Sequence, residues 1–255
     1  MLELIDEAIK LGGKRIVEID AEKYTIVGDL HADYKALKKI LKEREGLTVF
    51  LGDYGDRGDD PLNVYRAVLE GYVEGDFILL RGNHESRDVF PHDLPEKLDG
   101  EIYAKLNEFW ETLPVCAIIN NEVFAVHGGI YTKSCRISEE NVSLRDLKTE
   151  DAKIELMWND PWEDDRCVPN FRRGVGYIFG KRATERFLDD LDLKIVVRSH
   201  EPYKVLKAEQ DGLLVTVGST TVYGTDFAII KVSGRFSDGF DLIRKFGYVF
   251  ESGSF

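Results

Sequence analysis

The chain has 255 residues, 43% of them hydrophobic, and a formal net charge of −13. That length fits one large domain with a sizeable core, and the apolar content excludes a disordered chain. The acidic balance excludes a general nucleic-acid binder, which needs a basic face, but leaves an anionic substrate open because a bound metal ion reverses the sign locally. No apolar stretch approaches the ~20 residues of a membrane span. The first residues, Met1-Leu2-Glu3-Leu4-Ile5-Asp6-Glu7, carry acids where a signal peptide carries bases. Three cysteines, Cys116, Cys135 and Cys167, contain no CxxC pair and predict a reducing compartment, hence a cytoplasmic protein. Scarce methionine with abundant Lys and Glu points to a heat-adapted source.

In chain order, Leu2, Ile5, Ala8 and Ile9 share one face and predict a helix over 2–10. Ile16–Ile19 and Tyr24–Val27 read as two strands joined by a short turn. Asp33 is placed to cap a helix over 34–44, with Leu37, Ile40 and Leu41 inward. Residues 47–51 read as a strand, and Pro61 opens a further helix whose apolar face is Leu62, Tyr65, Val68 and Leu69. Residues 77–80 predict a strand and 101–112 a helix. Strands over 115–119 and 122–126 flank Asn120-Asn121, a pair that tolerates positive φ. Residues 195–197 are another strand, and Asp211-Gly212 signals a hairpin between 205–208 and 213–217. Residues 228–232 add a strand, and Phe246, Tyr248 and Phe250 alternate as a last, core-packed one. The first half alternates strand and helix, and the second is rich in hairpins. The expected fold class is α/β (α+β): two packed mixed β-sheets flanked by helices.

Five of these apolar runs end in histidine, aspartate or asparagine, usually beside glycine. The endings are Gly28-Asp29-Leu30-His31, Gly52-Asp53-Tyr54-Gly55-Asp56-Arg57-Gly58, Gly82-Asn83-His84-Glu85, His127-Gly128-Gly129 and Arg198-Ser199-His200-Glu201. Taken singly, each reads as a turn residue or a structural histidine. As a set they describe strand ends that converge on one rim and gather metal ligands. Asp29 and His31, two residues apart, can reach one ion, and a carboxylate with an imidazole suits zinc, iron or manganese. Asp53 offers two oxygens and can bridge two cations. His92 falls outside these motifs and reads as structural. Glu163-Asp164-Asp165 reads as a solvated acidic run.

The order of these motifs resembles the phosphoprotein phosphatases, the serine/threonine branch of the calcineurin-like metallophosphoesterases. Met157-Trp158-Asn159-Asp160-Pro161, the stretch 173–180 and Arg198-Ser199-His200-Glu201 are similar as well, so the resemblance spans about residues 24–225. It implies a calcineurin-like fold in a single catalytic domain over 1–255. It implies that Asp29, His31 and Asp53 hold one metal, and that Asp53, Asn83, His127 and His200 hold a second, with Asp53 bridging. His84 is implied as proton donor, oriented by Asp56, while Arg57 and Arg173 grip phosphate oxygens. In that scheme a hydroxide shared by the two metals attacks phosphorus in line, and His84 protonates the leaving serine or threonine alkoxide. Manganese is the expected metal, with iron, zinc or cobalt as alternatives. The implied substrates are phosphorylated proteins, with no nucleic-acid or membrane partner. The sequence departs from the family pattern at Ala32, where glycine is usual, and at Gly55, where valine is usual. In the late loop 217–224, Tyr223 stands in for a site-facing tyrosine and is a candidate phosphate contact. The chain is shorter than eukaryotic members and looks like a prokaryotic-type one. A diadenosine polyphosphate hydrolase or broad phosphoesterase on the same fold is the alternative reading.

Overall fold

Short apolar runs and capped helices alternate along the chain, and a computed structural model describes residues 1–253. Helix α1 (Leu2–Leu11) buries Ile5 and Ala8 and leads into strands β1 (Ile16–Ile19) and β2 (Tyr24–Val27). Asp33 caps helix α2 (Tyr34–Glu43) by accepting from the Ala36 amide at 2.9 Å. Then come β3 (Leu47–Phe50), α3 (Pro61–Glu74), opened by Pro61, and β4 (Phe77–Leu79). Helices α4 (Leu94–Lys97) and α5 (Gly100–Trp110) precede the hairpin β5 (Cys116–Ile119) and β6 (Val123–Val126). Its turn places Asn120 and Asn121 at φ +54° and +51°, the left-handed region that asparagine tolerates. Helix α6 (Glu150–Trp158) is followed by short strands β7 (Asp160–Pro161), β8 (Cys167–Pro169) and β9 (Tyr177–Phe179). Helix α7 (Lys181–Leu191), β10 (Ile195–Arg198), β11 (Leu206–Glu209), β12 (Leu214–Val217), β13 (Phe227–Val232), α8 (Gly239–Phe246) and β14 (Gly247–Phe250) complete the order.

The strands form two main mixed sheets, ordered β1-β5-β6-β10-β12-β11 and β14-β13-β2-β3-β4. Their facing sides make one core cluster, with Ile26 and Val49 from one sheet and Val123, Ala125, Val197 and Val215 from the other. Alternate residues point outward. Val27 and Phe50 meet α1, α2, α3 and α5 on one flank. Phe124 and Val196 meet α6 and α7 on the other, where Phe124 packs edge-on against Phe187 at 4.8 Å. Burial on both faces is why these strands read as continuous apolar runs.

The structure departs from the sequence reading in three places. The third sheet, β7-β9-β8, and helices α4, α6, α7 and α8 have no counterpart in the sequence reading. β10 pairs in parallel with both β6 and β12, so the second half is less of a hairpin array than its turns imply. Phe246 closes α8 instead of joining the last strand, where Phe250 is buried but Tyr248 is 38% exposed.

The cysteine reading is also corrected. Cys135 and Cys167 form a disulfide across 32 residues, tying the loop after β6 to β8, while Cys116 is a buried thiol. Closing a loop of that length removes denatured-state entropy worth about 2–4 kcal/mol. Reduction, or Cys135→Ser with Cys167→Ser, is therefore expected to lower the unfolding midpoint by roughly 5–15 °C. Calorimetry with and without reductant checks this, and an unchanged midpoint would mean the bridge does not form in solution.

Candidate active site

Within one sheet β2, β3 and β4 run parallel, so their carboxyl ends share an edge. That edge presents Asp29 and His31, then Asp53, then Asn83 and His84. In the facing sheet β6 and β10 are parallel and present His127 and His200. A bridge between Asp29 and Gly218 joins the two edges, and the site forms beyond the strand ends. The loops approach closely: a Cβ on Gly52 (φ +111°) would sit 2.3 Å from the Gly82 amide nitrogen. Six non-glycine residues here occupy the left-handed region, namely His31, Ala32, Asp53, Asp56, Arg57 and His200. Such conformations cost of order 1 kcal/mol or more each and persist where the surroundings over-determine them. Buried Glu85 is one such constraint. Its carboxylate accepts from the amides of Asp53 (2.7 Å), Gly82 (2.9 Å) and Tyr54 (3.1 Å), stapling two loops together.

Two groups of potential ligand atoms share Asp53: Asp29, His31 and Asp53, and Asp53, His127 and His200, each within 4.8 Å. His31 Nδ1 lies 3.3 Å from the Gly55 carbonyl, leaving Nε2 facing Asp29 and Asp53 oxygens at 3.8 and 3.7 Å. His127 gives Nδ1–H to the Leu51 carbonyl at 3.1 Å. Its Nε2 then faces Asn83 Oδ1 at 2.8 Å, His200 Nδ1 at 3.0 Å and Asp53 Oδ1 at 3.5 Å. Backbone carbonyls thus set the tautomers and turn the free nitrogens inward. Asp29 Oδ1 accepts from the Ser199 hydroxyl and from the His200 amide at 3.0 Å, whereas Asp29 Oδ2 and His200 Nε2 are buried with no hydrogen-bond partner among the described residues.

Electrostatics point the same way. Burial pushes the Asp29 carboxyl up to about 6, against hydrogen bonds from Ser199 and His200 that lower it. Asp53 is raised well above the usual range by burial, then by Asp29 and Glu85. Burial lowers His31, His127 and His200 well below the ordinary imidazole value, so these rings are neutral, the form that binds metal. Neutral imidazoles, an amide oxygen and crowded buried carboxylates fit divalent cations.

Beside these groups, His84 Nδ1 and Asp56 Oδ2 are 2.8 Å apart, and His84 Nε2 faces Arg57 Nη2 at 3.3 Å. Burial alone would raise Asp56, but hydrogen bonds from His84 and His92 hold it well below the usual carboxylate range. Arg173 sits in the loop between β8 and β9. Its guanidinium forks onto Asp160 and reaches the His200 carbonyl at 3.3 Å. The small third sheet therefore positions this arginine. The late loop is pinned where the Thr221 amide (2.8 Å) and hydroxyl (2.6 Å) donate to Asp33, the cap of α2. That leaves the Tyr223 hydroxyl 3.1 Å from His31 Nε2. His31, Asp53, Arg57, Asn83, His84, Arg173, His200 and Tyr223 all line one cleft of about 290 Å³. Asp29 and His127 are fully buried. The cleft also takes in exposed Arg172 and Phe90, which no motif marks. His92, read as structural, also bonds Asp56 at 2.8 Å, and only its nearness to the histidine–glutamate motif hinted at this. The acidic run 163–165 is occupied by local partners: Asp164 by Arg166, Asp165 by Arg182 and Glu163 by the Gln210 amide.

Residues 22–204 match the calcineurin-like phosphoesterase family. A serine/threonine-protein phosphatase 5 of Solanum lycopersicum is 33% identical over 82% of this chain and 40% of its own length. The catalytic subunit of serine/threonine-protein phosphatase 4 of Saccharomyces cerevisiae is 31% identical over 82% of this chain and 73% of its own. A solved protein serine/threonine phosphatase from Saccharomyces cerevisiae, with similarity to human phosphatase PP5, superposes with a TM-score of 0.83 at 26% identity, covering 100% of this chain and 90% of that one. The chain spans less than half the length of several curated relatives it matches. On the matched residues, the two facing sheets and these relatives, the chain belongs to the calcineurin-like phosphoesterases and, within them, to the serine/threonine-protein phosphatase family.

Proposed function

We propose that the chain is a metal-dependent serine/threonine protein phosphatase, a phosphoric monoester hydrolase acting as one catalytic domain over residues 1–255. One observation carries the reading: the ligand groups that share Asp53 open into the same cleft as His84, Arg57 and Arg173. Asp29, His31 and Asp53 would hold one cation, and Asp53, Asn83, His127 and His200 the other. When bound, a pair of divalent cations supplies Lewis acidity, polarising phosphate oxygens and acidifying water. Manganese is our proposed metal, since hard oxygen donors with imidazole suit it. Arg57 and Arg173 bind phosphate oxygens and offset charge that grows in the transition state. The Tyr223 hydroxyl donates to the same group. His84, held through Nδ1 by Asp56, acts in its doubly protonated form, which the Asp56 carboxylate favours against burial, and gives the Nε2 proton to the leaving serine or threonine oxygen.

The substrates in this proposal are phosphorylated proteins, and the net charge of −13 argues against nucleic acid. Among the described residues no helix is long and apolar enough to cross a membrane. A cytoplasmic location is kept as part of the proposal, although the Cys135–Cys167 disulfide removes the argument from reduced cysteines. The Cys135–Cys167 bridge then implies a cell that maintains intracellular disulfides, as hyperthermophiles do.

With manganese, the protein is expected to release phosphate from a phosphothreonine peptide far faster than it attacks diadenosine tetraphosphate, and metal-stripped protein should do neither. The reverse preference would keep the site chemistry and move the enzyme to the nucleotide-hydrolase reading. Bound metal with no turnover on either substrate would overturn both.

A further inference from the structure

We propose that His92 is a positioning residue for the proton donor, holding the Asp56 carboxylate that orients His84. This rests on the reading of His84 as proton donor.

Asp56 is fully buried and sits at φ +59°. Its Oδ2 accepts from His84 Nδ1 and from His92 Nδ1, both at 2.8 Å. Its Oδ1 accepts from the backbone amides of Asp93 (2.9 Å) and Leu94 (3.1 Å). Four donors therefore occupy both oxygens, two on each, which is what a carboxylate accepts. On the far side of the His92 ring, Nε2 faces the Tyr103 hydroxyl at 2.9 Å. With Tyr103 donating there, a neutral His92 carries its proton on Nδ1 and must give it to Asp56. The order is Tyr103 to His92 to Asp56, with His84 donating to the same oxygen from the reacting side. Tyr103 belongs to α5, and Trp110 of that helix packs edge-on against both the Tyr103 and His92 rings, at 6.0 and 6.4 Å. The orientation of Asp56 is thus referred to a rigid helix.

A purely structural role, tethering the loop after β4, is already filled. The Asp93 and Leu94 amides hold the Asp56 side chain, and the Asp93 carboxylate accepts from the Arg57 amide and from Lys97. What His92 adds is the second partner of Oδ2, the oxygen that His84 uses. Without it that oxygen has one protein partner, and the angle at which His84 is held is no longer over-determined. Geometric looseness at a donor reduces the proton transfer it catalyses and leaves steps that need no proton less affected.

Leaving-group dependence reads this directly, because an alkoxide needs a proton and p-nitrophenolate does not. The measured quantity is the ratio of kcat on a phosphothreonine peptide to kcat on p-nitrophenyl phosphate, in the manganese-loaded protein. His92→Leu is expected to lower that ratio about tenfold, a fraction of what a general acid supplies, with KM nearly constant. His92→Gln, whose amide can donate to Asp56, should restore most of it. Tyr103→Phe should lower it by less than His92→Leu, and it tests the relay if His92→Leu does not fold. In a His84→Asn background, adding His92→Leu should cost nothing further in the ratio. A His92→Leu variant that slows both substrates equally, or neither, while His84→Asn changes the ratio, overturns the role of His92. A His84→Asn variant with an unchanged ratio overturns the donor assignment itself.

Discussion

Replacing Asp53 by asparagine is expected to abolish turnover and yet raise the unfolding midpoint of the metal-free protein. Asp53 is the one residue common to both ligand groups, so its loss weakens both cation sites together. The amide keeps an oxygen for the His84 amide, which donates to Oδ1 at 3.0 Å, but carries no charge and bridges poorly. A loss of ~10³-fold or more in kcat is expected, the scale of removing a preorganised electrostatic group. The stability gain follows from linkage. Asp29 is raised from 3.8 to about 6 by burial, and Asp53 is raised well above the usual range by burial and by Asp29. A carboxyl whose pKa is raised on folding binds more protons in the native state, so stability falls as pH rises from the unfolded value through the folded one. Metal-free wild type should therefore weaken from about pH 4 through pH 6 and above. Asp53→Asn removes one of the two charges and the repulsion on the other. With metal at a hundred times its Kd the wild type should instead gain about 2.7 kcal/mol, a gain that Asp53→Asn largely forfeits. Thermal midpoints against pH, with and without manganese, decide it. Metal-free Asp53→Asn melting below metal-free wild type, or gaining equally from manganese, would count against a shared ligand at this position.

The residues of the cleft were legible because their strands are buried on both faces and stop abruptly. Ile26-Val27, Val49-Phe50 and Val196-Val197 give uninterrupted apolar runs, and although one polar residue just past a run reads as a turn, its recurrence at five runs marks a shared rim. What stayed hidden is long-range or masked by charge. Helix α6 carries Glu155 on its buried face, where it accepts from the Thr132 and Ser134 amides, and this breaks the apolar stripe. In α7, Ala183, Phe187 and Leu188 keep helical spacing, but six of its eleven residues are charged. Strands β7, β8 and β9 are two or three residues long, too short for any period, yet they hold Arg173 against Asp160. The Cys135–Cys167 pairing and the His92–Asp56 bond join segments distant in sequence and leave no local trace. Ala32 shows a different limit. The family's usual glycine is replaced at φ +56°, so a visible sequence departure falls on a strained position.

His84→Asn is expected to cut turnover on a phosphothreonine peptide by ~10²–10⁴-fold, the range a general acid supplies. The substitution is selective in its chemistry. The amide nitrogen of asparagine can take the place of Nδ1, so the bond to Asp56 survives, while the atom at Nε2 that faces the cleft is lost. The side chain of His84 belongs to neither ligand group, and its backbone amide still donates to Asp53. Metal binding should therefore persist, read as an unchanged rise in midpoint with manganese. The loss should track the leaving group. A serine or threonine alkoxide is a strong base that departs only as it is protonated, whereas p-nitrophenolate departs unaided. The variant's rate on p-nitrophenyl phosphate should thus fall far less than its rate on the peptide. If both rates fell together and the manganese shift vanished, His84 would be serving the metal site. If the peptide rate held, a water in the cleft would have to supply the proton.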